Sequence, residues 1–313
     1  MNDNAQALII TVNFRGADAT LRLLNTASRL ERFDCCRLVV VDNDSDDGSI
    51  YRIRRAIYGF GNIELMESWH NRGYFGAARW ALPHYVAKHN VPDWVIVCNN
   101  DIVFDDPVFL TRLLKQDPEA AGVIAPSIIS GLTGHDANPS IRNRPSQFQM
   151  MRYRLWLSNY YAMWLKQWLS PFIRKARYKF IKRTPSTGEG GNSLIYAPHG
   201  SFLIFSRKFF EAGGFIDDGF FLYAEEFSVA EMCRQLGLSV IHDPELRVWH
   251  AEGQSTGRML SRSVYQHQKS GFAYALRRYN NSYPEIEAAA PVIRKPIPDA
   301  ASSAIAAVGD SNR

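Results

Sequence analysis

The chain has 313 residues, 46% of them apolar, which is typical of a globular protein with one large α/β domain or two smaller ones. No run of 18 apolar residues occurs, so the sequence predicts no membrane-spanning helix. The net charge of +5 comes from one segment, because residues 137–188 hold 11 Lys or Arg and no acid, whereas the rest of the chain holds 25 bases against 31 acids. These bases do not form a recognisable nucleic-acid-binding module, so we expect no nucleic-acid partner.

Short apolar runs alternate with amphipathic segments over the first 130 residues. Strands are predicted at residues 7–13, 38–41, 63–67, 94–98 and 122–129. Helices are predicted at residues 20–30, 49–58, 73–88 and 108–115. This alternation predicts right-handed crossovers and a mostly parallel sheet.

The alternation stops after residue 130, where the basic, aromatic segment and a Gly-rich loop at 188–192 follow. Further strands are predicted at 201–206, 238–241 and 247–249, and further helices at 225–236 and 258–279. We therefore expect two halves of one α/β domain, an insertion, a C-terminal helix and a disordered Ala/Pro/Ser-rich tail. Their expected bounds are 1–130 and 196–257 for the halves, 131–195 for the insertion, 258–284 for the helix and 285–313 for the tail.

Two of the predicted strands run directly into polar clusters. The strand at 38–41 is followed by DNDSDDGS (42–49), and the strand at 94–98 by Asn99, Asn100 and Asp101. Ligands of open α/β sheets bind outside the carboxyl ends of the strands, where these acids and amides can meet a ribose or a metal ion. The layout predicts a nucleotide with a divalent cation, although helix-capping turns would explain the same residues.

A glycine-containing segment, Asn71 to Gly76, opens the helix predicted after the third strand. Free backbone amides at a helix N-terminus attract anions, and Arg72 adds positive charge next to Gly73. The segment therefore predicts a pyrophosphate contact, with a simple tight turn as the alternative.

Four stretches carry a family resemblance, in the family's order: VVVDNDSDDGS (39–49), NRGYFGAARWAL (71–82), VIVCNNDIVF (95–104) and GSFLIF…RVWH (200–250). On these residues the chain resembles the family 2 inverting glycosyltransferases, in particular the bacterial rhamnosyltransferase-like branch. The resemblance implies a GT-A type α/β fold, with a mostly parallel sheet flanked by helices and a basic aromatic helical insertion.

The resemblance also implies a set of donor and metal residues. Asp42 would face the base, Asp101 stands at the last position of the family's Asp-x-Asp signature, and His250 would complete the shell of Mn²⁺ or Mg²⁺. The expected donor-binding residues are Asp42, Asn43, Asp44, Arg72, Gly73, Asn99, Asn100 and Asp101, and the expected metal ligands are Asp101 and His250.

By the same resemblance, Glu226 stands at the position of the general base, and Glu225 remains a second candidate. Glu replaces the family's usual Asp at this position, and Ser228 stands where many relatives carry another acid. The alternative is that both glutamates only stabilise the helix N-terminus electrostatically. His199, Gly200 and Trp249 are expected on the acceptor side.

Together these features imply a metal-dependent inverting glycosyltransferase. It would move a sugar, rhamnose as first choice, from a dTDP- or UDP-sugar to a hydroxyl of a bacterial surface polysaccharide or lipid-linked glycan. A non-catalytic membrane-surface scaffold and a sugar nucleotidyltransferase are the alternatives. Residues 13–17 (NFRGA) are too poor in Gly and Lys to cradle a triphosphate, which disfavours the nucleotidyltransferase, and they lack the G-x-G-x-x-G of a dehydrogenase.

The basic segment carries aromatic residues every four positions, at Trp156, Tyr160, Trp164 and Trp168, which predicts that they share one helix face. Aromatics with flanking Lys and Arg are typical of a helix lying on an anionic membrane. We therefore expect a cytoplasmic protein peripheral on the inner face of the cell membrane. Packing of the stripe against the domain, or against a second copy in a homo-oligomer, is the alternative.

Overall fold

A computed structural model describes residues 5–169, 191–252 and 261–279. The strands are β1 (Ala7–Asn13), β2 (Cys36–Asn43), β3 (Ile63–Ser68), β4 (Trp94–Asn99), β5 (Ile102–Val103), β6 (Val123–Ser130), β7 (Ser193–Leu194), β8 (Phe202–Ser206) and β9 (Val240–His250). The helices are α1 (Ala17–Ala27), α2 (Ser49–Ala56), α3 (Tyr74–Val86), α4 (Phe109–Leu113), α5 (Gln147–Ser158), α6 (described over 160–169), α7 (Arg207–Glu211), α8 (Glu225–Gln235) and α9 (Arg262–Tyr279).

The nine strands form one mixed sheet in the order β3-β2-β1-β4-β8-β6-β9-β5, with β7 paired to β9. The pairs β1–β2, β1–β4, β2–β3 and β6–β9 are parallel and long, whereas β4–β8, β6–β8, β5–β9 and β7–β9 are antiparallel and shorter. The expected parallel first half is therefore present. Its second half becomes mixed because β8 enters antiparallel between β4 and β6.

Burial on both faces explains the apolar strands. Alternate residues of a strand point to opposite faces of the sheet. Ile9 of β1 packs in the core beneath α1 with Leu23, whereas Leu8 and Ile10 pack on the other face with Phe75 of α3. A strand covered by helices on both sides has no solvent face, so it requires an unbroken apolar run.

The two short strands expected at 238–241 and 247–249 form one long strand, β9. Its parallel pairing with β6 shifts register between Pro126 and Ser127, which is how a β-bulge accommodates extra residues. The polar residues between the two apolar runs lie in this irregular part of the β6–β9 ladder. Periodicity alone therefore predicts two short strands instead of one long strand.

The aromatic stripe does not lie on one continuous helix face. Asn159 has an extended backbone (φ −132°, ψ 131°) that ends α5 before α6 begins. Trp156, Tyr160 and Trp164 pack with α9 in a small apolar cluster that contains Tyr265. These three side chains therefore pack against the domain, as the alternative has it, and contact of the insertion with a membrane stays a prediction. Trp168 is exposed and stacks on Trp164 at 6.4 Å.

Helix α9 is anchored to the segment that precedes α8. The hydroxyls of Tyr274 and Tyr279 donate to the buried carboxylate of Asp217 at 2.9 and 2.5 Å. A Cβ at Gly271 would lie 2.6 Å from the Tyr223 carbonyl oxygen, so only glycine allows this close approach. Within the described ranges, no helix is long and apolar enough to cross a bilayer. The expected tail at 285–313 and residues 170–190 of the insertion lie outside those ranges.

Candidate functional site

The carboxyl ends of β1, β2 and β4 bring three polar side chains to one edge of the sheet. The ladder pairs Asn13 with Asp42, and Val12 with Asn99. Loops that follow parallel strands at this edge are the usual ligand position of α/β folds. The donor residues predicted from sequence are thus adjacent to one another at the carboxyl ends of neighbouring strands.

Asp42 is fully buried, and both of its carboxylate oxygens are used within the protein. Asn13 Nδ2 donates to Oδ1 at 2.7 Å, and the Ser45 backbone N–H donates to Oδ2 at 3.0 Å. Asn13 in turn accepts from the Thr20 hydroxyl at 2.8 Å. Asp42 therefore shapes the loop after β2, and Asp44, with φ 66°, is among the exposed residues of this loop that are open to a ligand.

Asn43 holds the segment that opens α3. Its Nδ2 donates to Asn71 Oδ1 at 2.9 Å and to the Gly73 carbonyl at 3.1 Å, and its Oδ1 accepts from the Arg72 N–H at 2.9 Å. The Gly73 N–H donates to Asn71 Oδ1, and the Tyr74 N–H donates to the Phe221 carbonyl. These amides are therefore committed to the protein, so the half-buried Arg72 side chain is the main group left for an anion.

Asn100 ties the end of β4 to the start of α1. Its Nδ2 donates to the Gly16 carbonyl at 3.2 Å and to Thr20 Oγ1 at 3.1 Å. Asn99 is the last residue of β4 and is half-buried. Its backbone N–H donates to the Ser201 carbonyl at 2.9 Å. Asn100 therefore acts as a brace, whereas Asn99 borders the site.

Asp101 and His250 face each other although 149 positions separate them, because β5 pairs antiparallel with the end of β9 and aligns Ile102 with His250. Both side chains are buried, and Asp101 Oδ1 lies 3.0 Å from His250 Nε2. The alignment is not that of a hydrogen bond, since Asp101 Oδ1 and His250 Nδ1 both remain without a hydrogen-bond partner. Glu252 Oε1 lies 3.7 Å from that Nδ1.

The two glutamates open α8 beside the first residues of β8. A Cβ at Gly200 would lie 3.5 Å from Glu226 Oε2, so the half-buried Glu226 carboxylate borders this backbone. Glu225 is buried, and its Oε1 accepts from the Tyr223 N–H at 2.8 Å. Burial raises the pKa of both carboxyls above the ordinary value, and for Glu225 the charge of Glu226 adds to the effect.

Tyr74 connects this pair to Asp101. Its hydroxyl is buried without a hydrogen-bond partner. Burial raises the pKa of Tyr74, and its acidic neighbours Cys98, Glu225 and Asp101 raise it further. The Tyr74 hydroxyl therefore lies within electrostatic reach of both Glu225 and Asp101.

His199 lies between the two clusters. Its ring centroid is 6.2 Å from that of His250, and burial lowers the pKa of His199 to about 4, with the neighbouring His250 as the second cause. The Ser201 N–H donates to His199 Nδ1 at 3.3 Å, so the neutral ring carries its proton on Nε2. Trp249 does not join this group, because successive residues of β9 point to opposite faces and Trp249 lies on the exposed one.

Comparison with known proteins gives sequence relatives and structural neighbours. The chain is 24% identical over 251 residues to the N-acetylglucosaminyl-diphospho-decaprenol L-rhamnosyltransferase of Mycobacterium tuberculosis, covering 78% of this chain and 75% of the relative. GalNAc-T7, solved with UDP, GalNAc and Mn²⁺, superposes with a TM-score of 0.57 at 13% identity. That match covers 88% of this chain and 48% of the other, so the chain spans about half the length of GalNAc-T7.

The mannosyltransferase PcManGT of Pyrobaculum calidifontis, solved with GDP-Man and Mn²⁺, has a TM-score of 0.50 at 16% identity, covering 92% of this chain and 78% of that chain. No protein-family model matches the chain. The structural likenesses show the GT-A fold, and the Mycobacterium relative is a rhamnosyltransferase. The chain is a GT-A glycosyltransferase that is similar to the rhamnosyltransferase-like branch.

A divalent cation fits the Asp101–His250 pair of this glycosyltransferase. Two adjacent ligands of an octahedral ion, each about 2.1 Å away, stand about 3.0 Å apart, as Asp101 Oδ1 and His250 Nε2 do. The unsatisfied carboxylate oxygen is the kind of group that an ion would satisfy. Among the described residues, no three His, Cys, Asp or Glu side chains can hold an ion by themselves, so the pair requires oxygens from the substrate.

Sequence reasoning missed three groups that shape the glycosyltransferase site: Asn13, Tyr74 and Tyr153. Asn13 was visible only as a polar end to the first strand. The pKa of Tyr153 on α5 is raised by burial and by the charge of Glu226, so the insertion lies within electrostatic reach of Glu226. Only the regular spacing of the aromatic residues indicated that the insertion packs against something. That spacing does not predict whether these residues face the domain or solvent.

Proposed function

We propose that this glycosyltransferase moves a sugar, rhamnose as first choice, from a dTDP- or UDP-sugar to a hydroxyl of a lipid-linked glycan, with inversion. One observation carries the proposal. Asp101 and His250 present an unsatisfied, ion-compatible pair, and His199, Gly200 and Tyr74 connect it to the buried Glu225 and the half-buried Glu226. A metal-diphosphate position next to carboxylates of raised pKa is what such a transfer requires.

The donor would lie along the carboxyl ends of β1, β2 and β4. Asp44 is exposed at the loop after β2, and Arg72 is stacked 5.1 Å from the Trp80 ring with Nε donating to Ser68 Oγ at 2.9 Å. Held in this way, the guanidinium is positioned for a phosphate oxygen. The GalNAc-T7 and PcManGT structures contain UDP and GDP-Man, which supports a nucleoside diphosphate as the handle of the donor.

Asp101 and His250 would hold Mn²⁺ or Mg²⁺ against the donor diphosphate. When bound, the cation neutralises the negative charge that the diphosphate gains as it leaves. His199, neutral with its proton on Nε2, can donate a hydrogen bond to an oxygen of the donor or acceptor.

Glu226 is proposed as the general base. Its carboxylate takes the proton of the acceptor hydroxyl while that oxygen forms a bond to the anomeric carbon and the bond from this carbon to the diphosphate oxygen breaks. Glu225 Oε1 is engaged by the Tyr223 N–H, which leaves Glu226 as the freer carboxylate beside Gly200. A base in this position contributes about 10²- to 10⁴-fold to the rate.

The acceptor class rests on the Mycobacterium relative, whose name describes a lipid-linked diphosphate acceptor and rhamnosyl transfer. Such an acceptor presents its hydroxyl near a bilayer, so we propose that the protein acts at the inner face of the cell membrane.

A panel of nucleotide sugars tests the proposal. Melting temperatures are measured with dTDP-rhamnose, UDP-galactose, UDP-glucose, UDP-N-acetylglucosamine and GDP-mannose, each with Mn²⁺ and with EDTA. A ligand that binds the folded state raises the melting temperature in proportion to the logarithm of its concentration over its Kd. We expect dTDP-rhamnose to give the largest Mn²⁺-dependent shift and to transfer its sugar to a lipid-linked acceptor. Equal melting curves with every nucleotide sugar would contradict the proposal.

A further inference from the structure

A second apolar surface lies on the insertion, beside the packed part of the stripe. Phe148, Met151 and Leu155 share one face of α5 by their i, i+3 and i+7 spacing, and Tyr161, Leu165 and Trp168 share one face of α6 by i, i+4 and i+7. All six are between 44% and 66% exposed. We call these six residues the outer face of the insertion.

The opposite sides of the same helices are buried. Met150 and Leu157 of α5 and Met163 of α6 point inward, and Tyr265 of α9 donates from its hydroxyl to the Leu157 carbonyl at 2.8 Å. The helices are therefore held by the domain through one side, and their outer face is left to solvent. Soluble proteins rarely expose clustered large apolar residues without a binding role.

The charge around the outer face has one sign. Helices α5, α6 and α9 contain no Asp or Glu over their described residues. Arg152 and Arg154 are exposed on α5, and Arg262 and Lys269 are exposed on α9. Arg152 follows Phe148 by four positions, so it lies beside the apolar residues rather than behind them. Exposed apolar residues flanked by basic side chains complement an anionic membrane, whose apolar interior lies beneath negatively charged headgroups.

We propose that the outer face of the insertion docks on an anionic membrane, with its apolar side chains in the acyl boundary and the arginines among the headgroups. The other side of α5 faces the domain: the Tyr153 ring packs on Phe272 of α9 at 4.8 Å between centroids, and Gly271 of α9 lies against the Tyr223 carbonyl, two residues before Glu225. Docking through the outer face therefore holds the catalytic pair close to the bilayer that contains a lipid-linked acceptor. The inference rests on the proposed function for its purpose, whereas docking itself is measured without any sugar.

Co-sedimentation of the full chain with vesicles tests docking. The probes are vesicles of phosphatidylcholine alone and of phosphatidylcholine with phosphatidylglycerol. We expect binding to the anionic vesicles that weakens as salt rises, because surface attraction is screened over about 8 Å at physiological ionic strength. The double variant Phe148→Ser/Leu155→Ser should lose at least about tenfold in binding, and the reversal Arg152→Glu/Arg154→Glu should lose binding to anionic vesicles.

The matched control is Tyr51→Ser/Tyr58→Ser, which removes one exposed aromatic from α2 and one that follows its end, and should bind as the unchanged protein does. Melting curves and donor hydrolysis of all variants should match the unchanged protein. Unaltered vesicle binding by both insertion variants, or equal binding to neutral vesicles, overturns the inference. Conversion of a dimer to a monomer by Phe148→Ser/Leu155→Ser also overturns it, since the face would then be an interface between two copies. Failure of every nucleotide sugar to bind would overturn the proposed function and leave these vesicle results standing.

Discussion

Gly73 lies against Phe221 so closely that a Cβ at position 73 would stand 2.2 Å from the Phe221 carbonyl oxygen. The Tyr74 N–H donates to the same carbonyl at 3.0 Å. Gly73 opens α3, and Phe221 lies four residues before Glu225. This contact joins the segment that carries Arg72 to the segment that carries Glu225 and Glu226.

Replacing Gly73 by Ala should therefore disturb both halves of the site. Gly73 has φ +74°, which strains any residue with a Cβ, and the added methyl also meets backbone that cannot move aside. We expect a loss of about 1–3 kcal/mol in the free energy of unfolding and weaker nucleotide binding. Gly237→Ala is the control, because Gly237 has φ +67° with open space around it. If the two variants lose the same stability, the Phe221 contact is not a constraint.

Removing the Asp101 carboxylate should remove the cation dependence of nucleotide binding. Asp101→Asn keeps the size of the side chain and leaves His250 as the single remaining member of the ion-compatible pair. We expect calorimetry to show Mn²⁺-dependent tightening for the unchanged protein and none for the variant, whose fold stays intact. Asp105→Asn, which removes the partly exposed acid paired with Arg247, is the control. Equal nucleotide affinity with Mn²⁺ and with EDTA in the unchanged protein would exclude the metal role.

The buried Glu225 should make stability depend on pH. Burial raises the pKa of Glu225 in the folded protein above its value in the unfolded chain. The contribution of Glu225 to the free energy of unfolding is therefore fully present below about pH 4.3, the ordinary Glu pKa. It is lost as the pH rises through the raised pKa of the folded protein. Glu225→Gln keeps a side-chain oxygen that accepts from the Tyr223 N–H and removes the loss of stability at higher pH. We expect a higher melting temperature than the unchanged protein at mildly alkaline pH, by about 2–4 °C for each kcal/mol recovered, and no gain at pH 4.

The exposed Glu119→Gln serves as the control for that experiment. It should melt as the unchanged protein does at both pH values. A Glu225→Gln variant that is no more stable than the unchanged protein at alkaline pH would show that the carboxyl is not held in an unfavourable environment.

The entry to the insertion should depend on one ion-pair network. Arg144 donates from Nε and Nη2 to the fully buried Glu231 carboxylate at 2.6 and 3.1 Å, and Tyr196 and Arg234 donate to the same group at 2.7 and 2.9 Å. Burial alone would raise the pKa of Glu231, but these hydrogen bonds outweigh it and hold the pKa below the ordinary value. We expect Arg144→Ala to cost about 1–3 kcal/mol in urea unfolding. The neighbouring exposed Arg142→Ala should cost less than about 0.5 kcal/mol, and equal losses would mean that the network is not what anchors the segment.

Local sequence was sufficient for the parallel half of the fold. Strands buried on both faces show as apolar runs, and their order along the chain gives the crossovers. It was not sufficient for Asp42, because whether a carboxylate points to a ligand or into the protein depends on contacts such as that with Asn13, 29 positions away. The Asp101–His250 pair came from resemblance alone, since the β5–β9 ladder that forms it connects distant parts of the chain.

The insertion shows the limit of periodicity. The spacing of Trp156, Tyr160, Trp164 and Trp168 is regular, yet Asn159 interrupts the helix between the first two of them. An apolar stripe predicts that one face of a helix is buried. Which part of the molecule buries it depends on tertiary packing, which the spacing does not show. Here α9 covers the stripe, and the less regular outer residues remain exposed.

Release of nucleoside diphosphate by Glu226→Gln is measured against Glu225→Gln with Mn²⁺, the preferred donor and an acceptor. We expect Glu226→Gln to retain donor affinity and to lower kcat by at least about 10²-fold, the usual contribution of a general base. Glu225→Gln should lower kcat much less, because its carboxylate already accepts from the Tyr223 N–H. Turnover by Glu226→Gln at the rate of the unchanged protein would show that Glu226 is not the general base.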